Sequence, residues 1–144
     1  MNIRIIEGGS PGYEAMLELR VRALLEPIGV PASYIDREGE KNDIFIGAFE
    51  NEQITGCCVL TPRSNELIQL RQMVVEPNLQ GKGVGASIVA FAEETARARG
   101  FARLMMHARD PVIPFYSKCG YVIAGPQFFE VGIGHHVMEK QLLL

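Results

Sequence analysis

The strongest chemical signal in the chain is the sequence Val75-Glu76-Pro77-Asn78-Leu79-Gln80-Gly81-Lys82-Gly83-Val84-Gly85. It places three glycines at alternate positions, directly after the longest strand-like run and directly before the clearest helical pattern. Glycine permits a positive φ and has no β-carbon, so backbone N–H groups can converge and approach a ligand closely. The start of the helix adds unpaired N–H donors and the positive end of the helix dipole. The stretch therefore predicts an anion site, suited to phosphate or pyrophosphate, at a strand–turn–helix junction.

The spacing of these glycines separates the stretch from two common phosphate motifs. Read from Gly81, Gly-x-Gly-x-Gly departs from the Gly-x-Gly-x-x-Gly of dinucleotide-binding proteins. No Gly-Lys-[Ser/Thr] follows four spacers after a first glycine, as a P-loop requires. A flavin or nicotinamide oxidoreductase is also disfavoured, because the chain has no doubly wound repeat. A tight turn with one packing glycine is the simpler alternative to a ligand site.

Apolar periodicity extends the prediction to both sides of this junction. A helix capped by Ser10 follows the first strand and stops near Pro27 and Gly29, and the helix after the glycines stops at Gly100. We predict strands over 3–6, 44–49, 53–60, 67–75, 102–107, 121–123 and 136–142, and a short helix over 111–118. This order indicates an α/β fold with a mixed sheet, antiparallel hairpins and at least one βαβ crossover.

The composition of the chain limits the classes of protein to which it can belong. The chain has 144 residues, 47% hydrophobic and 22% charged, which fits one domain over 1–144 and excludes a disordered chain. A formal net charge of −3 gives no support for nucleic acid as a partner. The apolar runs are far shorter than the roughly 20 residues that span a bilayer, and the N-terminus has no leader pattern. We therefore expect no membrane partner.

The cysteines indicate a reducing compartment. There are three, an odd number without metal-ligand spacing, and the adjacent Cys57 and Cys58 would point to opposite faces of a strand. A disulfide framework is therefore not expected, and we predict a cytoplasmic protein.

Two motifs in register resemble the GNAT superfamily of N-acetyltransferases. Gln80-Gly81-Lys82-Gly83-Val84-Gly85 is similar to its acetyl-CoA signature, Gln/Arg-x-x-Gly-x-Gly/Ala, and follows the strand Arg71-Gln72-Met73-Val74-Val75. Phe115-Tyr116-Ser117-Lys118-Cys119-Gly120-Tyr121 is similar to Phe-Tyr-x-x-x-Gly-Phe/Tyr. The order of elements agrees, so the resemblance covers essentially the whole chain. It implies a central, mostly antiparallel sheet flanked by helices, with a splay between the long fourth strand and the fifth.

The resemblance implies acetyl-CoA as co-substrate and no metal. Backbone amides of the glycine turn would bind the pyrophosphate, and the pantetheine amides would pair like an added strand against the end of the long strand. The implied coenzyme-binding residues are Met73, Val74, Val75, Gln80, Gly81, Lys82, Gly83, Val84, Gly85 and Ala86.

Acetyl transfer to an amine needs a neutral amine, stabilisation of the developing oxyanion and a proton for the departing thiolate. Tyr116 matches the family tyrosine that protonates the sulfur, with a core aromatic as its alternative role. His107, at the end of its strand, and Glu76, just after the long strand, are the two candidate bases. A backbone N–H near Val75 is the candidate oxyanion contact.

The sequence contains several further polar residues whose partners it does not reveal. Asp110 stands six positions before Tyr116, where many family members have an asparagine, and we expect it to cap the helix over 111–118. Arg71 and Gln72 would lie on opposite faces of the long strand, unless a bulge changes the register. The remaining group is expected to form a solvated turn rather than a metal site: Glu130, His135 and His136.

These observations predict an N-acetyltransferase that acts on a primary amine, either a small molecule or a peptide. The alternative is a regulatory module that binds acetyl-CoA without turnover, and the presence of Tyr116 favours the enzyme. The segment 27–42 matches no motif, and we expect it to determine acceptor specificity. The apolar run Leu142-Leu143-Leu144 indicates a possible homodimer.

Overall fold

The computed structural model describes residues 1–143, so Leu144 lies outside the described residues. The strands are β1 Asn2–Ile6, β2 Ile44–Glu50, β3 Gln53–Pro62, β4 Leu67–Val75, β5 Arg103–Arg109, β6 Val122–Ile123, β7 Phe128–Glu130 and β8 Ile133–Gln141. The α-helices are α1 Pro11–Leu19, α2 Val84–Ala98 and α3 Ile113–Lys118. A π-helical turn, Arg20–Leu25, extends α1, and short 3-10 turns occupy Glu26–Ile28, Ala32–Tyr34, Pro77–Leu79 and Asp110–Val112. Within this range no helix is long and apolar enough to cross a membrane.

The eight strands form one mixed sheet in the order β1-β2-β3-β4-β5-β8-β6, and β7 pairs with β8. All of these pairs are antiparallel except β4 with β5, which α2 connects as a βαβ crossover. The parallel pair is short, because only 67–69 of β4 face 103–105 of β5. The later parts of β4 and β5 have no backbone pairs with each other. The prediction of a mixed, mostly antiparallel sheet is confirmed.

The sheet has an apolar core on each face. On the face that we call the α1 face, α1 packs on Phe45, Cys57 and Val59. On the opposite face, the α2 face, α2 and α3 pack on a larger cluster that includes Cys58 and Leu104. The two adjacent cysteines therefore lie on opposite faces and are free thiols, as predicted. Burial raises the pKa of the Cys57 thiol to about 12, so it is an inert core residue.

A bulge in β4 changes which face its polar residues occupy. Cys57 pairs with Val74 and Val59 with Arg71, so two residues of β4 oppose Cys58 alone. One of the two is Gln72, whose φ is 53°. A bulge of this kind turns the strand locally and re-aims its side chains. Arg71 and Gln72 consequently both reach polar partners on the α1 face, instead of one on each face.

Two elements differ from the predicted ones. The first helix is capped by Ser10 as expected, with its hydroxyl 3.2 Å from the Tyr13 amide nitrogen. It changes to a π-helical turn at Arg20, however, and periodicity alone does not distinguish that turn from an α-helix. The strand β7 is absent from the prediction, because three residues are too few for an alternating pattern.

Candidate active site

The glycine turn combines left-handed backbone with the N-terminus of α2. Gly81 and Gly83 have φ values of 82° and 86°, and Gly83 caps the helix without any side-chain hydrogen bond. A β-carbon at either position would meet no atom within 4 Å, so open space faces the turn. The first N–H groups of an α-helix have no intrahelical partner. The turn therefore presents several backbone donors to solvent, as an anion site requires.

Two residues of the turn, Gln80 and Gly85, have structural contacts within the protein. A β-carbon on Gly85 would lie 3.2 Å from Cζ of Phe115, so this glycine lets α2 pack against α3. The Gln80 side chain donates a hydrogen bond from Nε2 to the Val75 carbonyl oxygen, 3.3 Å away. These two residues hold the turn in place against β4 and α3. Lys82, in contrast, is exposed and adds a positive charge beside the helix end.

Tyr116 lies in α3 within the core of the α2 face. It packs edge-on against Phe115 and Tyr121, with ring centroids 5.0 and 6.0 Å away. Burial raises the pKa of the Tyr116 phenol above its ordinary value of 10.0, so the phenol stays protonated at neutral pH. Its hydroxyl has no hydrogen-bond partner within residues 1–143. The phenol O–H of Tyr116 is therefore a protonated donor without a partner among the described residues.

His107 lies on the α1 face. Met105 pairs with Gln69, which lies on this face of β4. His107 is two positions after Met105, and alternate residues of a strand lie on the same face. Its Nδ1 is 2.7 Å from Oε2 of Glu130, and its ring meets Phe128 edge-on. The imidazole is partly exposed, with 34% of the side chain accessible. His107 therefore lies beyond the last β4–β5 pair.

Glu76, the second candidate base, is engaged by Arg22. The Arg22 Nη1 lies 2.8 Å from Glu76 Oε1, and Nη2 donates to Oε2 at 3.2 Å. The Nη2–Oε2 contact is a hydrogen bond, whereas Oε1 is buried and accepts no hydrogen bond from the described residues. The carboxylate raises the pKa of Arg22, so the guanidinium is always charged. The ion pair ties the end of β4 to the π-helical turn.

A buried polar cluster, which the sequence did not reveal, anchors the segment 27–42. Arg20 is fully buried and binds Glu40 through two contacts, Nη1–Oε1 at 3.0 Å and Nη2–Oε2 at 2.8 Å. Arg20 Nε donates to Gln72 Oε1 at 3.2 Å, and Arg71 Nη1 donates to Glu40 Oε2 at 3.2 Å. The segment 27–42 is thereby fixed at its C-terminal end to the π-helical turn and to the β4 bulge.

The expected roles of Asp110 and of the turn histidines are wrong. Asp110 does not cap α3: its carboxylate lies 2.7 Å from His136 Nδ1 and accepts a hydrogen bond from Gln127 Nε2, also at 2.7 Å. The hydrogen bond with His136 lowers the pKa of Asp110. His135 is buried rather than solvated and stacks on Phe128. No group within residues 1–143 has the three or more ligands of a metal site.

Comparison with known proteins agrees with this geometry. Streptothricin acetyltransferase of Escherichia coli is 27% identical over 97 residues, which cover 65% of this chain and 56% of that protein. The chain spans about half the length of the curated relatives it matches. Among solved structures, a candidate N-acetyltransferase from Lactobacillus plantarum has a TM-score of 0.87 at 25% identity, covering 99% of this chain and 100% of the other.

A second solved structure has the same fold. It is a GNAT family acetyltransferase from Elizabethkingia anophelis with acetyl-CoA bound, with a TM-score of 0.75 at 20% identity and 97% coverage of both chains. The Acetyltransferase (GNAT) family model matches residues 13–121, which include the glycine turn and Tyr116. With the sheet order, the glycine turn and this match in agreement, the chain belongs to the GNAT family of acetyltransferases.

Proposed function

We propose that this protein is an N-acetyltransferase that moves the acetyl group of acetyl-CoA directly to a primary amine. The observation that carries the proposal is the position of the glycine turn. Gly81 and Gly83 lie between β4 and α2, the end of β4 does not pair with β5, and Tyr116 lies in α3 with a phenol that has no partner among the described residues. These features support a site in which the turn would supply anion donors, the β4 edge free backbone groups and Tyr116 a proton.

The coenzyme would bind between the C-terminal ends of β4 and β5. The amides of the turn, Gly81 to Ala86, would hold the pyrophosphate, and Lys82 would add its charge. The end of β4 that contains Met73, Val74 and Val75 pairs with β3 but not with β5, so the edge towards β5 would offer backbone groups to the two pantetheine amides. Gln80 and Gly85 would support the turn through their contacts with Val75 and Phe115. The empty space in front of Gly83 fits such a ligand.

The acid and the base would act from opposite faces of the sheet. His107, on the α1 face, would take a proton from the acceptor ammonium, and the neutral amine would then attack the thioester carbonyl carbon. As the C–N bond forms and the C–S bond breaks, Tyr116 would give its proton to the departing sulfur from the α2 face. The new amide nitrogen would release its extra proton to solvent, and the Tyr116 phenolate would take a proton back from solvent. A backbone N–H near Val75 would stabilise the oxyanion. We favour His107 over Glu76 as base, because Arg22 already engages the Glu76 carboxylate.

The acceptor is proposed to be a small molecule or a peptide with a primary amine, selected by the segment 27–42. The name of streptothricin acetyltransferase gives streptothricin as the acceptor of that relative. We propose a cytoplasmic location, supported by the free thiols of Cys57, Cys58 and Cys119. A homodimer through the C-terminus is also proposed: of the described residues of that run, Leu142 packs in the core and Leu143 is exposed and could meet a second copy.

Two measurements in sequence test the function. Calorimetric titration with acetyl-CoA tests coenzyme binding, and thiol release in the presence of spermidine, kanamycin or L-lysine amide tests turnover. The proposal expects binding and thiol release with at least one amine. Binding without thiol release for any amine would favour the non-catalytic acetyl-CoA-binding module, and absence of binding would exclude both functions.

Replacing the phenol of Tyr116 tests the acid. We expect Tyr116→Phe to lower kcat by about 10- to 100-fold and to leave acetyl-CoA affinity nearly unchanged, because the ring still packs while the proton donor is lost. Tyr13→Phe is the matched control, since Tyr13 is also buried but lies against Phe45 in the other core. Steady-state kinetics on both variants make the comparison. An unchanged kcat for Tyr116→Phe, with chemistry rate-limiting, would leave Tyr116 as a core aromatic.

A further inference from the structure

The short hairpin of β7 and β8 carries a carboxylate to the candidate base. Glu130 ends β7 and pairs with Ile133, which starts β8. Further along, β8 pairs with β5 so that Val137 lies opposite His107. The hairpin therefore turns back beside β5, and Glu130 Oε2 comes within 2.7 Å of His107 Nδ1. Among residues 1–143, this is the one carboxylate within ion-pair distance of His107.

Aromatic contacts pack the imidazole of His107 against the hairpin. The Phe128 ring lies between the two histidines, edge-on to His107 with centroids 5.1 Å apart and stacked on His135 with centroids 5.6 Å apart. His135 is buried, and its Nδ1 lies 2.7 Å from the Ile133 carbonyl oxygen at the start of β8. The imidazole is thus packed against β7, the strand that ends with Glu130.

The chemistry of the contact determines where the imidazole proton lies. An ionised carboxylate accepts hydrogen bonds and cannot donate one. A neutral His107 therefore carries its proton on Nδ1, and the lone pair is on Nε2. Nε2 has no hydrogen-bond partner within the described part of the chain. Once Nε2 accepts a proton, the carboxylate at 2.7 Å also stabilises the resulting imidazolium.

We propose that Glu130 is a positioning residue that fixes His107 as a base acting through Nε2. This inference rests on the proposed function, in which His107 deprotonates the acceptor ammonium. Strands β5 and β8 place three other charged or titratable groups on this face near His107. Arg109 shares the face of His107 by strand parity, Glu139 engages Arg103 at 3.6 Å, and His135 lies behind Phe128. Among the charged groups of the described residues, Glu130 alone forms an ion-pair contact with the imidazole.

The first test needs no acceptor. Nitrogen-15 NMR of histidine-labelled protein, at a pH where the imidazoles are neutral, reports which ring nitrogen carries the proton, and His107→Asn assigns the His107 signal. We expect the Nδ1–H form of His107 in the wild type and a shift of the population towards Nε2–H in Glu130→Ala. A wild-type signal from the Nε2–H form, or an unchanged signal in Glu130→Ala, would overturn the inference.

The second test is a double-mutant cycle on kcat, with the panel amine that gives the fastest thiol release. We expect Glu130→Ala to lower kcat roughly 10-fold with the acetyl-CoA KM within about twofold, and His107→Asn to lower it on the order of 100-fold. If Glu130 acts through His107, the double variant should equal His107→Asn alone. Glu139→Ala, on the neighbouring strand, should keep wild-type kcat.

The cycle separates the two ways of failing. A wild-type kcat for His107→Asn would mean that the proposed base is wrong. A lowered kcat for His107→Asn with a wild-type kcat for Glu130→Ala, or with effects that add in the double variant, would overturn the role of Glu130 alone. Glu130→Asp restores the carboxylate, and partial recovery of kcat over Glu130→Ala is expected.

Discussion

Gly83→Asp should abolish measurable binding of coenzyme A to a protein that remains folded. The new carboxylate would stand at the end of α2, in the space where the pyrophosphate is proposed to lie. Juxtaposed like charges cost several kcal/mol, and each 1.4 kcal/mol is tenfold in affinity, so we expect at least about 100-fold weaker binding. A non-glycine residue at a φ of 86° adds about 1–2 kcal/mol of strain, which an ordinary domain tolerates. Calorimetric titration and circular dichroism measure the two effects.

Gly100→Asp is a matched control for the strain. Gly100 ends the same helix, has the same φ of 86° and also has open space where its β-carbon would be. It should destabilise the protein to a similar degree and bind coenzyme A normally. Gly8→Asp, in the turn after β1, controls for the added charge alone. If folded Gly83→Asp binds coenzyme A like Gly100→Asp, the glycine turn is not the coenzyme site.

The wild type offers a complementary test of the same site. Dephospho-CoA should still bind, because the turn is proposed to contact the pyrophosphate rather than the 3′-phosphate. Pantetheine, which lacks both groups, should bind far more weakly. Equal affinity for pantetheine and coenzyme A would contradict a pyrophosphate site.

Glu40→Ala should lower the free energy of unfolding by about 3–5 kcal/mol, because it leaves the fully buried guanidinium of Arg20 without its anion. It also removes the partner of Arg71 at 3.2 Å. Urea denaturation followed by circular dichroism measures the change. The loss is a large share of the 5–15 kcal/mol by which ordinary domains are stable.

Glu38→Ala is the control for this variant, two positions earlier in the same segment. Its carboxylate pairs with Lys41 on the surface, where both side chains are mostly exposed. Exposed pairs contribute at most about 1 kcal/mol. A Glu40→Ala variant that is no less stable than Glu38→Ala would show that the buried pair does not hold the segment 27–42 in place.

The parts of the fold that follow from local chemistry were predictable from the sequence. The glycine turn, the Ser10 cap and the opposite faces of Cys57 and Cys58 each depend on a few neighbouring residues. The mixed sheet followed from the order of strand-like and helix-like runs, because βαβ and hairpin connections limit the possible topologies. The candidate acid was found through a motif whose residues are adjacent in the chain.

What could not be predicted depends on contacts between distant residues. Glu130 meets His107 across 23 positions, and Arg20 meets Glu40 across 20, so neither pair leaves a periodic pattern. Arginine is rarely fully buried, so composition argues against finding Arg20 in the interior. The sequence around Asp110 is compatible with a cap of α3. Its carboxylate instead contacts Gln127 and His136, which are distant in the sequence.

The strand order also determines when the site can be completed during synthesis. The first four strands are neighbours in chain order, so the β1–β4 half can assemble from contacts of short sequence separation. The strand β8 follows the other strands in the sequence yet lies between β5 and β6, so the pairing of β5 and β6 is complete only after β8 is synthesised. A nascent chain that has emerged through α2 already contains the whole glycine turn. The strand β5, which carries His107, is paired on both sides only after β8 has left the ribosome.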